Sequence, residues 1–371
     1  MTRLWREPAP GEREAGERSW QVVRAAFDER VPAPYKRDWR PLVAVAVAIA
    51  VLAAAFSPPG LAVLGSIRDA VRGEKNAKPA LFSLPAQGRL LVQSERGIWV
   101  VQRDGSKRFL GGYRDAVWSP HGLYVAGVHG NELRAFEPSG DVHWSIGRPG
   151  RIRNPSWSFD GYRMAYFAGD ALRVVNGDGT GDRLLTRAVR PGVAAWQPSS
   201  HMLAYVNRAG DIQVVNVDLP KRFAVIRTRL DPVGLDWAPD GRSLVVFGTH
   251  TVAMFGARGG QFRRLDRGAA QIVAASISPN GESVAFVETE GGQSSLQLTG
   301  VEAGPTHQVL KGAGAFTNVV WAPNGRWLLL DWRTADQWLF IRAPKVKKIT
   351  PISNIGANFG AGASLVGWCC P

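Results

Sequence analysis

The chain has 371 residues, enough for one large domain or two ordinary ones and for a sizeable core. Only 20% of residues are charged, while Gly (42), Pro (24) and Trp (14) are plentiful, which argues against a mostly helical protein and for many short strands joined by tight turns. Lys and Arg outnumber Asp and Glu by 45 to 31, a net charge of +14 that is spread along the chain, yet no basic run or basic–aromatic stripe marks a nucleic-acid groove.

Residues 1–40 are charged and mixed in sign. Within them Ser19 is placed to cap a short helix with Trp20, Val23 and Phe27 on one face, a face suited to a partner protein. Pro32 and Pro34 end it. From Pro41 to Ile67 no charged residue occurs, and the strongly apolar stretch Leu42–Phe56 precedes the break at Ser57-Pro-Pro-Gly60. A helix over 41–63 is therefore expected to span a membrane, with Trp39 and Arg40 at the interface. Lys36, Arg37 and Arg40 crowd its N-terminal flank, whereas the next basic residue beyond it is Arg68. The positive-inside rule then makes 1–40 a cytoplasmic tail, 41–63 an uncleaved signal anchor at the cell membrane and 64–83 a juxtamembrane linker, with the rest of the chain extracytoplasmic.

Beyond that point the chain repeats itself. The unit is aromatic-small-Pro-x-Gly followed by a short apolar strand. It recurs as Trp118-Ser-Pro-His-Gly122, Trp157-Ser-Phe-Asp-Gly161, Trp196-Gln-Pro-Ser-Ser200, Trp237-Ala-Pro-Asp-Gly241, Ile277-Ser-Pro-Asn-Gly281 and Trp321-Ala-Pro-Asn-Gly325. A strand such as Met164-Ala-Tyr166 follows each turn, then a second such as Leu172-Arg-Val-Val175, then a Gly-rich turn and a last strand such as Arg183-Leu-Leu-Thr186. Four short strands per roughly 40 residues is the period of a propeller blade. The Trp fills space between blades, and Pro and Gly shape the turn. Residues 89–110 supply three strands without a first one, and Ser364–Trp368 supplies one strand alone. Joined, they close the ring as a seventh blade and hide its edges. The expected fold is thus all-β: a seven-bladed propeller over 84–371, closed by one C-terminal and three N-terminal strands.

These repeats resemble the TolB-like branch of WD-repeat-type propellers, whose blades carry Trp-Ser-Pro-Asp-Gly followed by Leu-Ala-Tyr. The resemblance covers roughly 84–370 and departs at Phe159, Ser200 and Ile277. It implies a binding platform rather than a particular ligand.

Catalytic motifs are missing: there is no His-Glu-x-x-His, no Gly-x-Ser-x-Gly and no phosphate-binding glycine loop, and nothing calls for a cofactor or a metal. Asn176-Gly-Asp-Gly-Thr-Gly-Asp182 alternates oxygen-bearing residues but lacks the downstream Glu of a calcium loop, and reads as a blade turn. The histidines 121, 129, 143, 201, 250 and 307 form no ligand spacing, and His121 and His201 read as turn residues standing for Asp or Asn. Cys369 and Cys370 are adjacent, poorly placed to pair with each other, and read as incidental thiols or an interchain link. The leading functional expectation is a membrane-tethered platform for a protein, ligand or envelope polymer. The second is a single-pass regulator resembling anti-sigma factors, its tail touching a transcription factor through Trp20, Val23 and Phe27. The third is a propeller enzyme acting on a sugar or lactone.

Overall fold

The computed structural model describes residues 83–370 apart from Pro220 and 344–347. These residues form seven four-stranded antiparallel sheets arranged as the blades of a propeller. Six blades are continuous in sequence. Blade 2 runs from Arg114 to Gly147, blade 3 from Ile152 to Thr186, blade 4 from Val189 to Ile226, blade 5 from Pro232 to Asp266, blade 6 from Gln271 to Ala313 and blade 7 from Phe316 to Ser353. Blade 1 is the composite one. Its inner strand is the C-terminal Ser364–Cys369, paired with Arg89–Ser94, then Gly97–Val101 and Lys107–Gly111. In that seam Leu90 faces Trp368 and Leu91 faces Gly367.

The first strand of each blade packs beside the first strands of its neighbours, so these strands surround the central axis. Middle strands carry long runs of buried residues because both faces are covered by adjoining blades: Val125–His129 and Ser283–Glu290 carry runs of four and five. Outer strands such as Gln261–Asp266 and Val142–Gly147 alternate exposed and half-buried positions, as expected with solvent on one side. Within a blade the strands alternate in direction. The turns joining first to second and third to fourth strands therefore share one face, here called the turn face. The remaining turns and the links between blades occupy the opposite face.

The repeat residues lie where blade meets blade. Trp118, Trp157, Trp196, Trp237, Ile277 and Trp321 each end a first strand, Trp368 stands one residue before the end of its own, and all seven are 4–9% exposed. Trp196, Trp237 and Trp321 donate their indole N–H to the carbonyls of Ser156, Ala195 and Ser276 at 2.9, 3.3 and 3.1 Å, each in the preceding blade. Each such ring removes roughly 150–250 Å2 from water while keeping its polar atom bonded. The turn glycines Gly122, Gly161, Gly241, Gly281 and Gly325 all take φ between 64° and 75°, and each donates its N–H three residues back. Blade 4 lacks this glycine. There Ser199 takes the left-handed conformation instead, φ 53°, and the Ser200 hydroxyl donates to the Gln197 carbonyl at 3.1 Å.

One expectation is corrected. A single-pass placement in the cell membrane, with the propeller extracytoplasmic, has no support: among the described residues no helix is long and apolar enough to cross a membrane, and the segment 41–63 lies outside them. The only α-helix among the described residues is the short α1, Ile355–Phe359, in the link between blades 7 and 1. Cys369 and Cys370, read from sequence as incidental thiols or an interchain link, lie with their side chains on the same side. A φ of 74° at Cys370 turns the end of the chain back toward the preceding residue. The pair rests on blade 2, with Cys369 Sγ 3.7 Å from the Ser119 carbonyl and Cys370 Sγ 3.6 Å from that of Pro120.

Candidate functional site

A groove of about 780 Å3 lies on the turn face between blades 2 and 3. One wall is the turn of blade 2, with His121, Leu123 and Tyr124, and the other is that of blade 3, with Asp160 and Tyr162. Trp144, from the outer strand of blade 2, closes the floor and donates its indole N–H to the Gly177 carbonyl of blade 3 at 2.8 Å. Gly177 itself has no room for a side chain, since an added Cβ would lie 2.2 Å from the Gly161 carbonyl oxygen. Tyr124 meets His143 edge-on at 4.6 Å, and His143 pairs with Glu137 at 3.0 Å.

Apolar side chains stand out of this face. Leu123 is 64% exposed, Phe159 53%, Tyr162 70% and, in blade 4, Leu219 65%. Scattered exposed apolar residues are ordinary on any surface, but Leu123 and Tyr162 line the same groove from facing blades.

Beside the groove a polar network ties blade 3 to blade 4. His201 contacts Asp218 through Nδ1 and Asp160 through Nε2, the latter at 3.4 Å. Arg163 donates to both oxygens of Asp218 at 2.6 and 2.9 Å. Burial opposes ionisation of Asp218, but bonds from Arg163 and His201 outweigh it and hold its carboxyl below the usual range. Asp160 is held low in the same way, burial being outweighed by the Ser158 hydroxyl and the Tyr162 N–H. The order of groups is Ser158–Asp160–His201, with the hydroxyl bonded to the carboxylate rather than to the imidazole, and Ser158 is fully buried. A nucleophile–base pair needs the hydroxyl on the imidazole and open to substrate, so this network cannot act as one.

The segment Asn176–Asp182 is a turn whose oxygens are spent locally. Asp178 accepts the Thr180 N–H at 2.9 Å and its hydroxyl at 2.7 Å, and these bonds hold its carboxyl below the usual range. Asp182 points inward, where Tyr166 donates to it at 2.7 Å and Arg148 and Arg173 surround its other oxygen. Burial and then the bond to Asp182 push the Tyr166 phenol up to about 12. Among the described residues no group of three or more His, Cys, Asp or Glu is arranged to hold a metal.

Of the residues singled out from sequence, the blade Trp and Gly positions are structural. Trp20, Val23 and Phe27 lie outside the described residues. His121 does occupy the Asp/Asn position of its turn. His201 stands two residues further along, where its side chain reaches carboxylates of two blades. Sequence reasoning missed Leu123, Phe159, Tyr162 and Leu219. The signal for Phe159 was present, an aromatic in the turn position that holds Pro in five other units.

No protein-family model matches the chain, and no curated protein matches it. Solved structures do. Hsv2 of Kluyveromyces lactis aligns with a TM-score of 0.53 at 13% identity, covering 71% of this chain and 93% of that one. A chain of the mitotic checkpoint complex aligns at 0.54 and 15% identity, covering 73% and 97%. Hydrazine synthase of Kuenenia stuttgartiensis aligns at 0.50 and 14% identity, covering 62% and 76%. At such identities the likeness is one of fold, shared by an enzyme and by a chain of an assembly alike, and that fold is the seven-bladed, WD40-type β-propeller.

Proposed function

We propose that the protein is a non-catalytic binding platform whose turn face, at blades 2–4, receives a segment of another protein carrying an apolar anchor next to a Lys or Arg. The observation that carries this is a groove of about 780 Å3 lined by the exposed Leu123 and Tyr162, with Phe159 and Leu219 also exposed on the turn face. Charge selects the occupant. Arg163 is the one cation lining the groove among the described residues, and Asp218 neutralises it, which leaves Asp178 uncompensated by any cation. A basic group entering there meets a carboxylate while its apolar neighbour covers Tyr162 and Leu123. The Trp-Ser-Pro-x-Gly and Leu-Ala-Tyr pattern further supports grouping the chain with TolB-like propellers.

The test uses the full chain against an array of short synthetic peptides that pair Leu or Phe with Lys, Arg, Asp or Glu. Basic–apolar peptides are expected to bind, and the variants Tyr162→Ser and Leu123→Ser to weaken that binding tenfold or more with unchanged melting. Equal binding of acidic and basic peptides, or binding indifferent to both variants, refutes the reading.

A further inference from the structure

A second concavity lies at the outer rim between blades 4 and 5, two blade boundaries on from the turn-face groove. It has a volume of about 350 Å3 and is lined by Arg227, Arg229, Arg258 and Arg264 together with Val225 and Gln261, among others, and by no carboxylate. The residues come from three places: the end of the outer strand of blade 4, the link 227–231 into blade 5, and the Gly-rich turn before the outer strand of blade 5. Four guanidinium groups brought together from separate segments repel one another unless something offsets them.

Little in the protein offsets them. Of the two carboxylates nearest in sequence, one offsets a single member of the four and the other is committed elsewhere. Asp266 holds Arg264, with both oxygens 2.9 Å from Nε, and also accepts the Thr251 hydroxyl at 2.7 Å. Asp231 holds Arg190. Arg227, Arg229 and Arg258 make no ion pair and no side-chain hydrogen bond among the described residues, although most other arginines there are bound to a carboxylate or a backbone carbonyl. The one contact recorded for any of these three is apolar: the Arg258 guanidinium lies 5.8 Å from the centre of the Phe223 ring, which leaves its donors free. Arginine forks in this state match the oxygens of a phosphate group, and the volume lies at the lower end of pockets that hold small ligands.

We infer that the rim groove between blades 4 and 5 is a binding site for a small phosphate-bearing molecule, held by Arg227, Arg229 and Arg258. The site is independent of the turn-face groove, and its charge selects the opposite kind of ligand. Binding is electrostatic at its core and therefore weakens steeply as salt rises.

Calorimetric titration of the full chain with inorganic pyrophosphate at low salt tests this. Saturable binding is expected, reduced tenfold or more in Arg227→Gln/Arg229→Gln, both positions being exposed so that folding is preserved. The control is Arg96→Gln/Arg326→Gln, which removes the same charge from exposed arginines elsewhere and is expected to leave binding within about twofold. Absence of saturable binding overturns the inference. So does an equal loss in both double variants, which assigns the effect to net charge alone. Vesicles containing an anionic phospholipid form the last arm: binding to them without binding to pyrophosphate assigns the arginines to a lipid surface and overturns the small-ligand site.

Discussion

Trp157 and Trp196 occupy the same place in successive blades, yet their indole N–H groups fare differently. That of Trp196 donates to the Ser156 carbonyl at 2.9 Å, while that of Trp157 is buried without a partner. A bonded buried donor contributes roughly 1 kcal/mol, and an unbonded one costs roughly 1–3 kcal/mol in lost solvation. Trp196→Phe is therefore expected to destabilise the propeller by about 1–2 kcal/mol more than Trp157→Phe, read from chemical denaturation of the two variants. Equal losses would mean that the rings matter only as volume. Asp331 gives a second test at this scale. It is 2% exposed and accepts the Thr317 hydroxyl at 2.7 Å, and burial pushes its carboxyl up to about 6. A raised carboxylate pKa means the folded state holds a proton that the unfolded state has released between about pH 4 and pH 6. Stability from this group is thus present at acid pH and lost as pH rises through that window. Asp331→Asn removes the ionisation, and the variant is expected to gain about 2–3 kcal/mol relative to the parent between pH 4 and pH 7.5. A difference between the two proteins that stays flat with pH would refute the assignment.

At the scale of single elements, the turn of blade 4 is the informative exception. Five turns place glycine in the left-handed region; here Ser199 takes that conformation at φ 53° and Ser200 restores a bond through its hydroxyl. A non-glycine residue in that region carries strain of roughly 1 kcal/mol. Ser199→Gly is expected to stabilise the protein by about 0.5–1 kcal/mol in thermal or chemical melts, the gain being trimmed by glycine's greater freedom when unfolded. A loss would mean that the serine fits its place. Six repeats in register made the turns legible in sequence, because Trp, Pro and Gly each answer a local need that recurs every 40 residues or so. The grooves answer no such need. Leu123 and Tyr162 are ordinary turn substitutions until neighbouring blades set them along one groove, and Arg227, Arg229 and Arg258 meet only across a blade boundary.

At the scale of the whole molecule, the alternation of strand direction sorts charge between the two faces. Among the described residues, the connections on the turn face carry ten carboxylates against five cations, whereas those on the opposite face carry nine arginines against five carboxylates. Beneath a net charge of +14 the described connections therefore carry opposite charge balances on the two faces. That polarity depends on closure, which rests on one strand. Ser364–Cys369 completes blade 1, Trp368 donates to the Gln87 carbonyl at 3.1 Å, and Asn318 of blade 7 donates to the Leu365 carbonyl at 2.6 Å. The Trp368 ring also meets Phe340 of blade 7 edge-on at 5.6 Å, so the strand seals the ring on both sides. Removing 364–371 exposes the edge of Arg89–Ser94 and the apolar cluster around Leu90, Trp338 and Phe359. Burial of Leu365 and Trp368 alone contributes roughly 5–8 kcal/mol, which for a domain of this size corresponds to a fall in melting temperature of about 10–20 °C. The shortened chain is expected to melt that much lower, or to self-associate through the open edge. A synthetic peptide of residues 364–371 added in excess is expected to raise the melt again by re-adding the strand. A shortened chain that melts with the parent would show the other six blades to hold the ring without it.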